Sequence, residues 1–284
     1  MVGRVLKVEP SVYKVKTEEG KILRCVAKGN MRFLKLKPLV GDIIGLNADW
    51  AIDKIYPRDN EFIRPPIANI NQIIMVMATT NPKPDLMLLD KQLVMAEKVG
   101  LDILICINKI DLKDDCDDII DTYEKIGYQV ITTDAKNGLG IEKLAVLLKG
   151  KITAFTGNSG VGKSALTNNI FRDVISKEGL VSDKTLKGKH TTKYVELFEI
   201  APDTYIADTP GFSSYDVQGI SYKDLDKYFI EFLPHISECE FRGCTHIKEK
   251  KCGVKNAVEK MKIDKGRYER YCTLYQKLKE DKKW

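Results

Sequence analysis

From residue 67 onward the chain alternates two kinds of pattern. Short, mostly apolar runs lie within residues 71–78, 102–107, 128–133 and 152–156, and they predict buried strands. Between them, residues 86–96, 117–127 and 141–148 carry apolar positions at helical spacing. Strands alternating with helices imply a parallel sheet covered on both faces. Residues 194–198 and 204–207 predict two further strands. The first 66 residues read differently. Segments 3–8, 12–15, 21–26 and 42–46 alternate only partially and are punctuated by Gly20, Gly29, Gly41 and Pro57. Close-spaced short strands with basic turns predict a small β-barrel of the OB-like kind, whose relatives bind oligonucleotides on one face; a purely structural barrel is the alternative. Arg64-Pro65-Pro66 punctuates its end. Past residue 219 the pattern is helical, with a long run over 267–279. The expected division is a barrel over 1–66, an α/β domain over 67–219 and a helical domain over 220–284.

The strand at 152–156 runs into Gly157-Asn158-Ser159-Gly160-Val161-Gly162-Lys163-Ser164, and Ala165 opens a helix. Strand, glycine loop and helix are the context of a phosphate-binding loop. Glycines let consecutive N–H groups turn inward around a phosphate chain, and the helix N-terminus adds its positive end. Lys163 would reach the terminal phosphates and Ser164 would ligate Mg²⁺. The bland alternative is a glycine-rich turn with a chance Lys-Ser.

The strand at 102–107 ends in Asn108-Lys109-Ile110-Asp111. At that place in an α/β nucleotide-binding domain, Asp111 can accept hydrogen bonds from guanine N1–H and the exocyclic amine. Adenine offers neither in that arrangement, so the carboxylate would be left unpaired. Asn108 would tie this loop to the phosphate loop, and the Lys109 stem would pack over the base. A weaker second base loop, Asp134-Ala135-Lys136, follows the strand at 128–133, with the Ala135 amide placed to meet guanine O6. Residues 176–193 form a polar, aperiodic stretch closing in Lys189-His190-Thr191-Thr192. Thr191 or Thr192 can complete a Mg²⁺ shell, and Thr192 is favoured. The strand at 204–207 ends in Asp208-Thr209-Pro210-Gly211, where Asp208 would hold Mg²⁺ through water and the Gly211 amide would touch the γ-phosphate.

Charge adds a second theme. Net charge is +6, but residues 1–66 carry 13 Lys/Arg against 8 Asp/Glu, and the flank beyond residue 219 is also basic, around an acidic middle. Basic flanks suggest a polyanionic partner such as nucleic acid, against the alternative of an ordinary solvated surface. No run of eighteen apolar residues occurs and no signal-peptide pattern opens the chain, so a cytoplasmic protein without a membrane partner is expected. Seven cysteines are present; Cys239, Cys244 and Cys252 cluster around His246. The spacing Cys-x₄-Cys-x-His-x₅-Cys suits one closed, structural Zn²⁺ site. Cys272 lies in the last helical run and is expected to pack.

Taken together, the base loops (Asn108 to Asp111, Asp134 to Lys136) precede the phosphate loop, and the switch motifs (His190 to Thr192, Asp208 to Gly211) come last. This rotated order, between a basic barrel and a Cys/His cluster, resembles the circularly permuted small ribosomal subunit biogenesis GTPase family over essentially the whole chain. The resemblance implies an OB barrel, a circularly permuted Ras-like P-loop GTPase domain and a C-terminal zinc domain. It also implies hydrolysis of GTP to GDP during late maturation of the small ribosomal subunit, with contacts to its rRNA and stimulation by the subunit; a monomer is expected. After the last motif's Gly211 comes Phe212, where a water-orienting Gln is expected. Intrinsic turnover should therefore be slow, and the resemblance supports His190 as the catalytic residue beside Lys163. Where the family often carries Glu-Pro before the last zinc ligand, this chain has Lys248-Glu249-Lys250-Lys251. The switch leads directly into the zinc domain, which suggests that nucleotide state reorients that domain relative to the barrel. A rival reading is an RNA-binding zinc protein whose nucleotide site only reports or stabilises; a membrane-traffic GTPase is disfavoured because no lipidation motif is present.

Overall fold

In the computed structural model, residues 1–29, 37–112, 115–178, 195–208 and 219–281 are described. The first five strands are β1 (Val2–Val8), β2 (Tyr13–Thr17), β3 (Ile22–Ala27), β4 (Ile43–Leu46) and β5 (Ala51–Ile55). Pairing runs β1-β2-β3-β5-β4 and closes through β1–β4, with β3 and β5 parallel and the other pairs antiparallel. This closed five-stranded order is that of an OB barrel. Val5, Val15, Cys25, Ile44, Leu46 and Ile52 fill it. The sequence pattern does not single out β5, because Asp53 and Lys54 break its alternation, although Ile52 is fully buried. A hairpin follows, β6 (Glu61–Ile63) and β7 (Pro66–Ala68). Residue 66, expected as the last of the barrel, is thus the first of β7. Gly41 must be glycine: its φ is +91°, and a Cβ there would stand 2.0 Å from the Ala68 carbonyl oxygen.

The α/β unit comprises β8 (Gln72–Ala78), α1 (Leu86–Val99), β9 (Asp102–Asn108), α2 (Asp117–Ile126), β10 (Gln129–Thr133), α3 (Ile141–Leu147), β11 (Ile152–Thr156), α4 (Lys163–Glu178), β12 (Glu196–Ala201) and β13 (Thr204–Asp208). Sheet order is β10-β9-β8-β11-β13-β12, parallel except for the β12–β13 pair. Leu89, Leu93 and Tyr123 from α1 and α2 cover one face. Leu144, Leu148, Leu166 and Ile170 belong to the core on the other. The Asp85 carboxylate caps α1 by accepting from Leu88 N–H at 2.9 Å, and Gly100 and Gly127 end α1 and α2 in the left-handed conformation.

The two units share one eleven-stranded sheet. β12 presents its outer edge to β1, pairing Glu196 with Lys7. That pairing covers part of an otherwise open sheet edge. Glu196 accepts ion pairs from Lys7 at 2.8 Å and Lys14 at 3.3 Å. Lys16 pairs with Glu199, and Arg4 lies over the Tyr205 ring at 5.6 Å. Much of the barrel's excess positive charge therefore faces the acidic edge of the α/β sheet, and those residues are not offered to a polyanion.

The C-terminal region contains two 3₁₀ turns, Tyr222–Tyr228 and Ile230–Phe232, then α5 (Leu233–Ile236), α6 (Gly253–Glu259) and α7 (Lys265–Asp281). Phe229, Phe232, Tyr271 and Leu274 form its core together with Val94 of α1. Arg267 of α7 is fully buried and donates to Asp90 of α1 at 2.5 Å and to Glu231 at 2.6 Å. Tyr123 of α2 donates to the same Asp90 carboxylate at 2.6 Å. The C-terminal region is thus one packed unit with α1 and α2. Turning it against those helices would strand buried charges, so a reorientation of the kind expected from the sequence must carry α1 and α2 with it.

Candidate functional site: a phosphate loop braced by two base loops

β11 delivers the chain to the phosphate loop, and α4 leaves it. Two glycines make the loop possible. Gly157 has φ +131°, and a Cβ would lie 2.0 Å from the Val76 carbonyl oxygen of β8. Gly162 has φ +102°, and a Cβ would lie 2.2 Å from Asn108 Nδ2. Val161 points into the core, while Ser159, Gly160, Ser164 and Ala165 are exposed. The loop therefore has an anchored wall and an open rim. The Lys163 ammonium donates to the carbonyls of Gly157 and Asn158, both at 2.8 Å. Burial holds its pKa below the ordinary lysine value. An anionic phosphate over this loop would meet the Lys163 charge, exposed loop amides and the N-terminal end of a helix.

Asn108 is the brace. Its side chain is buried and donates to the Val161 carbonyl at 2.9 Å. Its Oδ1 accepts from Ala135 N–H at 3.0 Å and from the Thr133 hydroxyl at 3.1 Å. One carboxamide thus joins the first base loop, the second base loop and the phosphate loop. Lys109 adopts φ +66°, its carbonyl accepts from Thr79 Oγ1 at 2.9 Å, and its ammonium donates to the Asn81 carbonyl. Asp111 stands half-buried in a 3₁₀ turn, Ile110–Leu112. In the second loop the Asp134 carboxylate accepts from Lys136 N–H at 2.9 Å and Asn137 N–H at 3.1 Å, which leaves Lys136 exposed. Asn169 of α4 donates to the Ala135 carbonyl at 2.5 Å. Thr79, Thr133 and Asn169 are supporting residues that the motifs do not contain; the signal for the two threonines is a hydroxyl at the end of an apolar strand.

For Mg²⁺, the described candidates are Ser164 and Asp208. Ser164 lies in the first turn of α4. Asp208 ends β13, whose pairing of Ala207 with Ala154 of β11 sets it beside the strand that enters the phosphate loop. A hydroxyl and a carboxylate are the hard oxygen donors that Mg²⁺ prefers. His190, Thr191, Thr192, Gly211 and Phe212 lie outside the described residues.

A second site sits in the C-terminal region. The ligand atoms of Cys239, Cys244, His246 and Cys252 all lie within 4.8 Å of one another. Cys239 Sγ is 3.9 Å from Cys252 Sγ, and His246 Nδ1 is 3.3 Å from Cys252 Sγ and 3.6 Å from Cys239 Sγ. Tetrahedral Zn²⁺ with its usual bond lengths has edges of about 3.5 to 3.8 Å, so this set fits. Burial pushes the Cys244 thiol up to about 12, and a bound Zn²⁺ would favour the thiolate instead. Backbone N–H groups of Gly253 and Lys255 point at Cys239 and Cys252 sulfurs at 3.3 and 3.4 Å. His246 Nε2 is buried with no hydrogen-bond partner in range, and the Asp226 carboxylate stands 3.6 Å away. The loop between the last two ligands is held by Glu249, whose carboxylate accepts from the N–H groups of Thr245, Ile247 and Lys248. Burial disfavours its charge, but those donors outweigh burial and bring the carboxyl down to about 2. No proline is needed for that loop. Cys272 packs against the regional core outside the cluster.

Comparison with known proteins agrees with this geometry. The sequence profile of the RsgA GTPase family matches residues 55–218, and that of the RsgA N-terminal domain matches residues 2–51. A small ribosomal subunit biogenesis GTPase RsgA of Ruminiclostridium cellulolyticum is 43% identical over 287 residues, covering 98% of this chain and 94% of that protein. The protein of the same name from Alkaliphilus metalliredigens is 39% identical, covering 99% of each. Among solved structures, YjeQ from Thermotoga maritima superimposes with a TM-score of 0.84 at 35% identity over 98% of both chains. YloQ, described as a circularly permuted GTPase, gives a TM-score of 0.81 at 33% identity over 99% of this chain and 95% of its own. With the base loops ahead of the phosphate loop and one carboxamide bracing all three, the chain belongs to the RsgA GTPase family: it is a GTP hydrolase on a circularly permuted P-loop domain behind a closed N-terminal barrel.

Proposed function

We propose that the chain is an assembly factor that binds the small ribosomal subunit and its rRNA late in maturation, and that the subunit raises its GTP turnover. The observation that carries the nucleotide part is the Asn108 brace, which holds a guanine-reading loop and a phosphate loop in one rigid frame. Asp111 reads the guanine N1–H and amine, the Ala135 amide, which also donates to Asn108 Oδ1, would share its hydrogen with O6, and Lys109 and Lys136 flank the base. The amides from Gly157 to Ala165, with Lys163 and the Gly211 amide, receive the phosphates. Ser164, Thr192 and Asp208 would hold Mg²⁺, which neutralises charge on the β- and γ-phosphates when bound. His190 orients the attacking water, taking the place of the Gln that Phe212 displaces. Lys163 meets the charge that develops as the bond to the leaving phosphate breaks. One structural Zn²⁺ sits on Cys239, Cys244, His246 and Cys252.

The ribosomal part is supported by the names of the relatives and by basic residues of the barrel and C-terminal region that remain unpaired among the described residues, such as Lys28, Arg242, Lys248 and Lys250. The protein works as a cytoplasmic monomer without a membrane partner. The test is co-sedimentation with isolated small subunits in the presence of a non-hydrolysable GTP analogue or GDP. Stable binding favoured by the GTP analogue is expected. No binding in either state would remove the reading.

A further inference from the structure

Resting on the proposed stimulation by the small subunit, we propose that Glu196 is a positioning residue that couples the barrel to GTP hydrolysis, through the ion pairs it makes with Lys7 and Lys14. Three observations carry this. Glu196 is the first residue of β12, the strand that the chain enters on leaving the segment in which the sequence places His190 and Thr192. Its side chain is only 7% exposed and is bridged by two lysines from two different barrel strands, at 2.8 and 3.3 Å. Among the described residues, the β1–β12 ladder registers one residue pair, Lys7 with Glu196, whereas β1 and β2 register five and β8 and β9 register seven. The backbone ladder between barrel and α/β sheet is therefore short, with Glu196 at its registered pair, beside an apolar core that Leu6 and Val40 share with Leu197.

The chemistry of the joint explains why it transmits force. Lys7 and Lys14 are direct cross-strand partners in the β1–β2 ladder. Like charges directly opposite each other repel. Glu196 stands between them and neutralises that repulsion, so the two barrel strands and the start of β12 are held as one charge-balanced unit. A load placed on the barrel by a docked partner moves β1 and β2, and Glu196 follows. Among the described residues, two of the three ion pairs across this seam, those of Lys7 and Lys14, fall on the first residue of the strand. The neighbouring pair Lys16 with Glu199, and the Arg4 and Lys16 charges over Tyr205, steady the rest of the edge.

The test measures GTP turnover of the full-length chain with and without isolated small subunits. The variants are Glu196→Gln, the double change Lys7→Gln with Lys14→Gln, and the charge swap Lys7→Glu, Lys14→Glu and Glu196→Lys. Glu196→Gln and the double Gln variant should keep subunit-free turnover and GDP affinity within about twofold of wild type. They should still co-sediment with subunits, yet lose at least about tenfold of the stimulated rate, a change of about 1.4 kcal/mol in coupling. The charge swap should recover most of it. Thermal melts of both Gln variants verify that each is folded, and the barrel-side variant keeps the test valid if Glu196→Gln is not. Full stimulation in folded Gln variants would overturn the proposal. So would a parallel fall of free and stimulated rates, or loss of subunit binding. If wild-type turnover is not raised by subunits at all, the functional reading itself has failed and this proposal goes with it. That outcome shows in the wild-type arm alone, so the two failures are distinguishable.

Discussion

Arg267 donates to the Asp90 carboxylate at 2.5 Å, and neither side chain is reached by solvent. The pair spans 177 positions of sequence and fastens α7 to α1. Glu231 and Arg270 complete the network. Removing one partner leaves an uncompensated buried charge, which costs about 3–5 kcal/mol. Arg267→Ala should therefore shift the denaturant midpoint strongly downward. Replacing the whole network, Asp90→Leu, Arg267→Met, Glu231→Leu and Arg270→Met, should cost less than the single change, because no buried charge is then stranded. Equilibrium denaturation of the two variants against wild type measures this; a single variant as stable as wild type would show the network to be dispensable.

That relationship also marks the limit of what the sequence reveals. The alternating strands and helices, the phosphate loop and the base loops are legible because each rests on contiguous residues with a fixed periodicity or spacing. The Cys/His cluster is legible for the same reason, falling between residues 239 and 252. Asp90 is different: in the sequence it is one acidic residue in a helix, and nothing local says that an arginine from the far end of the chain will bury against it. The same holds for Asp226 beside His246 and for Glu196 between Lys7 and Lys14. Net charge misleads for a related reason. Arg4, Lys7, Lys14 and Lys16 count as a basic flank in the tally, but the fold aims them at Glu196, Glu199 and Tyr205. β5 escapes notice because its solvent-facing Asp53 and Lys54 hide the buried Ile52 between ordinary polar neighbours.

In the proposed site Asp111 is the residue expected to set base selectivity. Asp111→Asn replaces a charged acceptor of two hydrogen bonds with an amide that can accept only through its oxygen. Two charge-assisted hydrogen bonds lost or weakened amount to about 3 kcal/mol, roughly a hundredfold in affinity. GDP binding should fall by that factor, with the fold unchanged by thermal melting. Titration with a fluorescent guanine nucleotide measures it. An unchanged Kd would remove Asp111 from the base contact.

Lys163 links nucleotide binding to pH. In the free protein, burial holds its pKa below the ordinary lysine value. A phosphate against the ammonium raises it on binding. The bound state therefore holds the proton more tightly. The extra affinity is fully present below the free-state pKa and is lost as pH rises through the bound-state value. Binding in the alkaline range should take up protons, detected as a dependence of calorimetric heat on buffer ionisation enthalpy. Lys163→Met should abolish both the uptake and most of the affinity.

Asp226 is expected to orient His246 in the proposed zinc site. With Nδ1 toward the sulfurs, His246 turns Nε2 toward the Asp226 carboxylate at 3.6 Å. A carboxylate there favours the tautomer that leaves Nδ1 free to ligate, and loss of such partners typically costs about 10–100-fold in metal affinity. Asp226→Asn should release zinc at least about tenfold faster to a chromogenic chelator. Wild type should carry one zinc per chain by elemental analysis, and its chelation should loosen the loop over residues 239–252. Equal release rates in the two proteins would count against this role.

The central claim is that this permuted domain hydrolyses GTP in response to the small ribosomal subunit. Steady-state phosphate release with GTP, with and without isolated small subunits and with ATP as the control nucleotide, tests it directly. Slow GTP turnover alone, at least about a tenfold rise with subunits, and negligible ATP turnover in both conditions are expected. Equal GTP rates with and without subunits, or ATP turnover matching GTP, would contradict it.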